Sequence, residues 1–192
     1  MSDQLLWFTT RGAGIVSLIL LTAVVCLGIT TAIRWQSSEW PRFLTAQLHR
    51  NIALLSVAFV AVHVVTSVID PFTSLGWAAA LIPFSSYYRT IWLGLGVISM
   101  ELTLAVIVTS LLRDRIGRRV WRTVHWLSYA AWPLGVVHGF GTGSDATAVW
   151  MLAIQGGCVL AVGLCVIWRL ETDRSARRRA EIDARGDVVP WV

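Results

Sequence analysis

The sequence predicts an all-α integral membrane protein, built as a five-helix transmembrane bundle. Three observations support this fold class. The chain of 192 residues is 56% hydrophobic and only 14% charged, whereas a soluble domain is about 25% charged. It contains five apolar stretches, and a helix needs ~20 such residues to cross a bilayer. Its basic residues lie mainly between these stretches. At this length, one domain is the natural count.

The five predicted spans cover residues 15–33, 52–69, 91–112, 124–140 and 148–168. They divide the chain into an N-terminal arm at 1–14, a transmembrane domain at 15–168 and a basic tail at 169–192. The tail is the one clearly polar segment, so the sequence offers no room for a soluble nucleotide-binding domain. We expect the tail to continue the last span as a helix.

The arginines predict the orientation of the bundle, because the chain has no lysine. All but two of its 16 basic residues lie after the first, third or fifth span, and the exceptions are Arg11 and Arg89. Basic loops remain on the cytoplasmic side of a membrane. We therefore expect the N-terminus outside, the C-terminus in the cytoplasm, and the second and fourth spans running in the same direction. Topology and anionic lipid explain this charge, so nucleic-acid binding is not expected.

The four histidines are the main candidates for chemistry. His49 and His63 are 14 residues apart in the region of the second span, and His125 and His138 are 13 apart in the fourth. On parallel helices these intervals, ~21 and ~20 Å, place two imidazole pairs one above the other. The 13-residue interval leaves His138 ~140° from the face of His125 in a regular helix. We therefore expect a distortion near Pro133, which lies between them.

Two imidazole pairs ~20 Å apart favour haem, because haem iron takes imidazole axially and the flat macrocycle fits between helices. Zinc or copper normally gathers three or four ligands at one point. Histidines within a membrane usually face the bundle interior or a cofactor. Two alternatives remain open, namely ordinary packing and a haem-free metal-ion transporter or scaffold that uses the histidines as stepping sites.

The histidine spacing and two longer strings resemble the ferric reductase-like transmembrane domain. The strings are "PFSSYYRTIWLGLG" before the third span and "SLLRDRIGRRVWRTVHWLSYAAWPLGVVHGFGTGSD" around the fourth. This superfamily includes eukaryotic ferric reductases, NADPH oxidases and the bacterial haem subunit of methionine sulfoxide reductase. The resemblance covers residues 13–168 and is strongest to short bacterial members, which implies a bacterial plasma membrane location.

The resemblance implies two b-type haems, with His49 and His125 on the inner iron and His63 and His138 on the outer iron. The implied function is electron transfer from a cytoplasmic-side donor to an extracytoplasmic acceptor, as the membrane subunit of an oxidoreductase. Only residues 169–192 follow the last span, so no flavin site is expected within this chain. The donor would be a separate flavoprotein or a quinol, and the acceptor a ferric chelate, oxygen or a protein. A haem anchor for a separate flavoprotein reductase remains an alternative.

Four further residues are accessory candidates. Trp132 lies seven residues after His125 and is either an aromatic contact between the haems or ordinary packing. Glu101 is an acid midway along the third span, which suggests a proton relay, a partner for a polar cofactor group, or a protonated acid bonded to neighbouring hydroxyls. Arg50 and Arg122 could bind inner-haem propionates or lipid phosphates.

Overall fold

The computed structural model describes residues 3–71, 75–143 and 145–185. All regular structure in these ranges is α-helical. The helices are α1 Asp3–Ala32, α2 Arg42–Ile69, α3 Gly76–Leu81, α4 Thr90–Leu111, α5 Arg113–Ile116, α6 Arg118–His125, α7 Ser128–Thr142 and α8 Val149–Arg185.

Four helices, α1, α2, α4 and α8, are long and apolar enough to cross a membrane. The chain is therefore a multi-pass membrane protein, as predicted. The predicted span 124–140 is divided between the end of α6 and α7. With 15 residues, α7 is ~22 Å long, shorter than the ~30 Å hydrocarbon core of a bilayer. Four of the five predicted spans thus have spanning length in the described part of the chain, and the remaining one is this shorter helix.

Local chemistry ends α1 and α2 where they reach the bundle surface. Arg34 has a φ of 59°, and the amide of Trp35 donates to the carbonyl of Thr30. This left-handed residue with a six-to-one hydrogen bond is a Schellman cap, which turns the chain out of α1. Asp70, which ends α2, is extended because the following Pro71 disfavours helical geometry.

The bundle has two chemically different ends. We call one the arginine-rich end, and it carries Arg34, Arg42, Arg50, Arg113, Arg115, Arg118, Arg119, Arg122 and Arg169. The opposite end carries Arg11 and Arg89. Helices α1, α4 and the junction of α7 with α8 connect these two ends in the order that the predicted spans require.

Two helix pairs and α8 make up the bundle. Helix α1 packs along α2, α4 packs along α7, and α8 packs against α1. A core cluster joins α1, α7 and α8 through Leu18, Val136, Cys158, Trp132 and Ile154. The Trp132 indole donates to Thr22 Oγ1 at 3.0 Å, and Ser99 Oγ donates to the carbonyl of Ala131 at 2.7 Å. These two bonds hold α7 between α1 and α4.

The stretch between α6 and α7 is overwound. Three backbone amides form 3₁₀-type bonds to the carbonyl three residues back, those of Leu127, Tyr129 and Ala130. A 3₁₀ residue turns about 20° further than an α-helical residue, so this stretch closes part of the angular gap between His125 and His138. The expected distortion is confirmed, and it lies just before Pro133, which has no amide hydrogen for the preceding turn.

The predicted arm and tail are helical where the structure describes them. Helix α1 begins at Asp3 and runs without a break past residue 14. Helix α8 continues past residue 169 to Arg185, and most of its side chains beyond that point are exposed. The described part of the tail therefore extends the last span, as expected.

Replacing Thr22 with Val is expected to lower the apparent unfolding temperature in detergent. Thr22 is 6% exposed, so the variant leaves the Trp132 indole N–H without its acceptor in an apolar core. An unsatisfied buried donor costs about 1–3 kcal/mol. The matched control is Thr172→Val, because the exposed Thr172 hydroxyl bonds only within its own helix. Equal effects of the two substitutions would contradict the role of this bond.

Candidate functional site: two facing histidine pairs

The structure brings the four histidines together as two pairs. The ring centroids of His49 and His125 are 6.3 Å apart, with their planes at 63°. Those of His63 and His138 are 6.2 Å apart, with their planes at 81°. A metal–imidazole bond is about 2 Å long, and the ring centre lies about 1 Å beyond the nitrogen, so two rings on one ion have centroids about 6 Å apart. Each pair therefore has the span of two imidazoles that share one ion.

Backbone carbonyls orient three of the four rings. In each case Nδ1 is within hydrogen-bond distance of a carbonyl on the neighbouring helix. The contacts are His49 to Val24 at 3.0 Å, His63 to Thr10 at 2.8 Å and His138 to Trp92 at 2.9 Å. A carbonyl only accepts, so the neutral rings carry their hydrogen on Nδ1. The lone pair then remains on Nε2, which is the arrangement of metal-ligating histidines.

A glycine follows each acceptor carbonyl by four residues and makes room for the ring. We call each such carbonyl and glycine a glycine notch, and the glycines are Gly28, Gly14 and Gly96. A Cβ at Gly14 would lie 2.9 Å from Nδ1 of His63, and one at Gly28 would lie 3.3 Å from Cε1 of His49. At Gly96 it would overlap the His138 ring. The sequence analysis missed these notches, although Gly14 and Gly28 repeat the 14-residue interval of His49 and His63.

His125 is held differently. Its Nδ1 is buried and has no hydrogen-bond partner within the part of the chain that the structure describes. Its ring packs instead on the Trp121 indole, with centroids 5.1 Å apart and planes at 34°. The pair at the arginine-rich end thus combines one anchored and one unanchored ring.

A cavity of about 320 Å³ opens beside the pair at the opposite end. Its lining includes His63, His138, Thr10 and Arg11. Arg11 is fixed by an ion pair with Asp145 at 2.7 Å, and its guanidinium lies 4.2 Å from the Trp7 ring. Its second nitrogen, Nη1, and the Thr10 hydroxyl are buried without partners among the described residues. This cavity therefore offers two unused polar groups to an anionic ligand such as a carboxylate.

The family model for the ferric reductase like transmembrane component matches residues 13–136. This is about two thirds of the chain. The chain belongs to the ferric reductase-like transmembrane family. The match includes His49, His63 and His125 and ends just before His138. No curated protein and no solved structure matches the chain.

Transmembrane domains of the ferric reductase-like family typically bind haem. In residues 3–71, 75–143 and 145–185, no three His, Cys, Asp or Glu side chains converge as a metal site. Each histidine pair accordingly presents two nitrogens, the number of axial positions on a haem iron.

The accessory arginines lie away from the histidine pairs. Arg50 and Arg122 are exposed, and neither forms an ion pair within the described residues. A second cavity of about 260 Å³ at the arginine-rich end is lined by Arg34 and Arg42, with Thr45 one helical turn before His49. In this ferric reductase-like chain, Arg34 and Arg42 are therefore better placed than Arg50 or Arg122 to meet a carboxylate near His49.

Trp132 and Glu101 have contrasting positions. Trp132 belongs to the core cluster and also lines the cavity that contains His63 and His138. Glu101 is exposed on the outer surface of α4. The neighbouring Ser99 and Thr103 hydroxyls bond to backbone carbonyls, so they are already used. The structure brings Trp132 to the site and leaves Glu101 outside it.

The connection between α2 and α4 covers the cavity at the opposite end. Ala79 and Ala80 of the short helix α3 line the cavity, together with Tyr88. The Arg89 guanidinium donates to the carbonyl of Gly141 at the end of α7. This connection therefore roofs the His63–His138 pair and is tied to the helix that carries His138.

Gly96→Ala is expected to lower the apparent unfolding temperature, because its Cβ would displace His138 from the notch. Such overpacking costs about 1–3 kcal/mol. Gly12→Ala is the matched control, since a Cβ there meets nothing within 4 Å. Alanine favours a helix over glycine by about 1 kcal/mol, so the control should be neutral or stabilising in the same thermal assay. If both substitutions stabilise the protein, the notch does not hold the ring.

Proposed function

We propose that this chain is a transmembrane di-haem b-type cytochrome, the membrane subunit of a ferric-reductase-like system. It carries electrons from a cytoplasmic-side donor to an extracytoplasmic acceptor. The observation that carries this proposal is the presence of two facing imidazole pairs, with ring centroids 6.3 and 6.2 Å apart. Family membership independently points to a membrane electron-transfer subunit.

The residues fit a bis-imidazole ligand set at both levels. His49 and His125 would hold one haem iron, and His63 and His138 the other. The three Nδ1 contacts to carbonyls leave Nε2 free to ligate. Bound haem supplies reversible one-electron chemistry. With two histidines on each iron, the chain leaves no open position for substrate, and this favours outer-sphere electron transfer.

Unpaired polar groups support carboxylate binding next to the opposite-end pair. Nη1 of Arg11 and the Thr10 hydroxyl are buried in the cavity lining without partners among the described residues. Arg11 remains positively charged at any physiological pH. The two groups would therefore neutralise and bond a haem propionate there, with Asp145 and Trp7 keeping the guanidinium in place.

The electron path runs along α2 and α7. His49 and His63 lie on one continuous helix, so their levels are ~21 Å apart. Trp132 packs between α1, α7 and α8 and reaches the cavity of the opposite-end pair. An indole at that position would provide an aromatic contact between the haems. Its bond to Thr22 fixes the orientation of the ring.

Sidedness follows from charge. The arginine-rich end would lie in the cytoplasm, because basic loops are retained there, and the tail of α8 would project toward anionic lipid. Helices α6 and α7, joined by the overwound turn, would complete a fifth crossing within a haem domain at 15–168. A separate flavoprotein or quinol would donate at the arginine-rich end of this bacterial plasma-membrane protein. A ferric chelate, oxygen or a protein would accept electrons beneath α3.

Removing one ligand should remove one haem. We expect His63→Ala and His49→Ala each to reduce the content from two haems per chain to one, because an iron with a single imidazole is held weakly. Haem is measured by the pyridine haemochrome assay against protein. Val62→Ala is the control, since Val62 is 44% exposed on the same helix.

The ferric protein has a second expected signature. Crossed ligand planes keep two iron d orbitals nearly equal in energy, so rings at 63° and 81° should produce highly anisotropic low-spin EPR signals. A colourless full-length protein after expression with adequate haem supply would overturn the proposed function.

Arg11→Gln is expected to speed the loss of the opposite-end haem by about 10-fold, a typical effect of removing a group that supports a metal site. The readout is haem transfer to an excess of apomyoglobin. Asp145→Asn is the matched control, because it breaks the ion pair with Arg11 but leaves the unpaired nitrogen in the cavity. If Asp145→Asn accelerates haem loss as much as Arg11→Gln, the arginine has only a structural role.

A further inference from the structure

The His125 ring lacks the support that the other three histidines share. His49, His63 and His138 each contact a backbone carbonyl through Nδ1. Nδ1 of His125 is buried and has no partner among the described residues. The three anchored histidines also lie inside α2 and α7, whereas His125 is the last residue of α6 and precedes the overwound turn.

The helix geometry locates the place where a fourth notch would be. On α1, the notches of His63 and His49 are centred on Gly14 and Gly28, 14 residues apart. On α4, the notch of His138 is centred on Gly96. His125 precedes His138 by 13 residues on a helix antiparallel to α4, so its counterpart lies 13 or 14 residues after Gly96. Ser110 stands there, and Val106 carries the corresponding carbonyl.

Ser110 and Trp121 fill that fourth notch. The Ser110 hydroxyl donates to the Val106 carbonyl at 2.6 Å. The Trp121 indole donates to Ser110 Oγ at 3.2 Å, and its ring packs on His125. The carbonyl that would accept from the His125 ring is therefore occupied, and an indole lies in the space that a glycine leaves open elsewhere.

We propose that His125 is an exchangeable axial ligand, so that the iron at the arginine-rich end accepts a small neutral external ligand while the opposite-end iron stays closed. This inference rests on the proposed function, since it requires haem on both pairs. Donation from Nδ1–H makes an imidazole a stronger ligand and fixes its ring, and loss of such support typically weakens a metal site 10–100-fold.

The exchange involves no redox change. The bond between the iron and Nε2 of His125 breaks, and the carbon atom of carbon monoxide bonds to the same ferrous iron. No electron or proton is transferred in this step. His49, which retains its contact with Val24, stays as the ligand on the other face.

The test is a carbon monoxide titration of the full-length, haem-loaded protein after reduction with dithionite. Half of the haem absorbance should shift to the carbon-monoxide form, and the other half should remain low-spin. His63→Leu/His138→Leu retains only the arginine-rich-end ligands and should bind carbon monoxide. His49→Leu/His125→Leu retains only the opposite-end ligands and should not.

A second variant tests the cause. Ser110→Gly/Trp121→Leu frees the Val106 carbonyl and removes the indole wedge, so it should lower the carbon monoxide affinity at least about 10-fold. Neither residue is a haem ligand, and the low-spin spectrum without carbon monoxide should be unchanged. An unaltered affinity in this variant would overturn the role of the filled notch.

The outcomes separate this inference from the proposed function. A full-length protein without haem overturns both. Two low-spin haems that ignore carbon monoxide overturn the exchangeable ligand alone, as does binding to both irons. If a double-histidine variant loses all its haem, the half-shift in the unmodified chain decides the question.

Discussion

A hydrogen bond from a histidine Nδ1 to a backbone carbonyl is the interaction on which the site depends. Three such contacts, to Val24, Thr10 and Trp92, join α2 to α1 and α7 to α4. In a membrane interior no water competes for these groups, so each contact both satisfies a polar ring and fixes its tautomer. The same contact therefore stabilises the bundle and prepares Nε2 for ligation.

This interaction constrains the rest of the fold. A ring can reach a helix carbonyl only where the next turn has no side chain, and this explains Gly14, Gly28 and Gly96 beside the three anchored histidines. It also explains why α7 is not a regular helix. The intervals between the histidines differ by one residue on α2 and α7, and the 3₁₀-type bonds before Pro133 rotate His138 toward His63.

The asymmetry between the two levels also arises from neighbouring side chains. At the opposite end, both rings are anchored, and Arg11 and Thr10 present unpaired polar groups to the cavity. At the arginine-rich end, Ser110 and Trp121 satisfy each other and the Val106 carbonyl. One residue in place of a glycine thus changes how a ligand is held, without changing which residues form the pair.

The sequence by itself determined the membrane class, the positions of the spans, the family and the level of each histidine along its helix. These properties depend on apolar length and on residue spacing, which a linear pattern records. Only the tertiary structure decided which carbonyl each ring meets, that Arg11 rather than Arg50 or Arg122 faces a cavity, and that Glu101 points outward. Such contacts depend on the rotation and height of one helix against another, and neither quantity is encoded in the periodicity of a single segment.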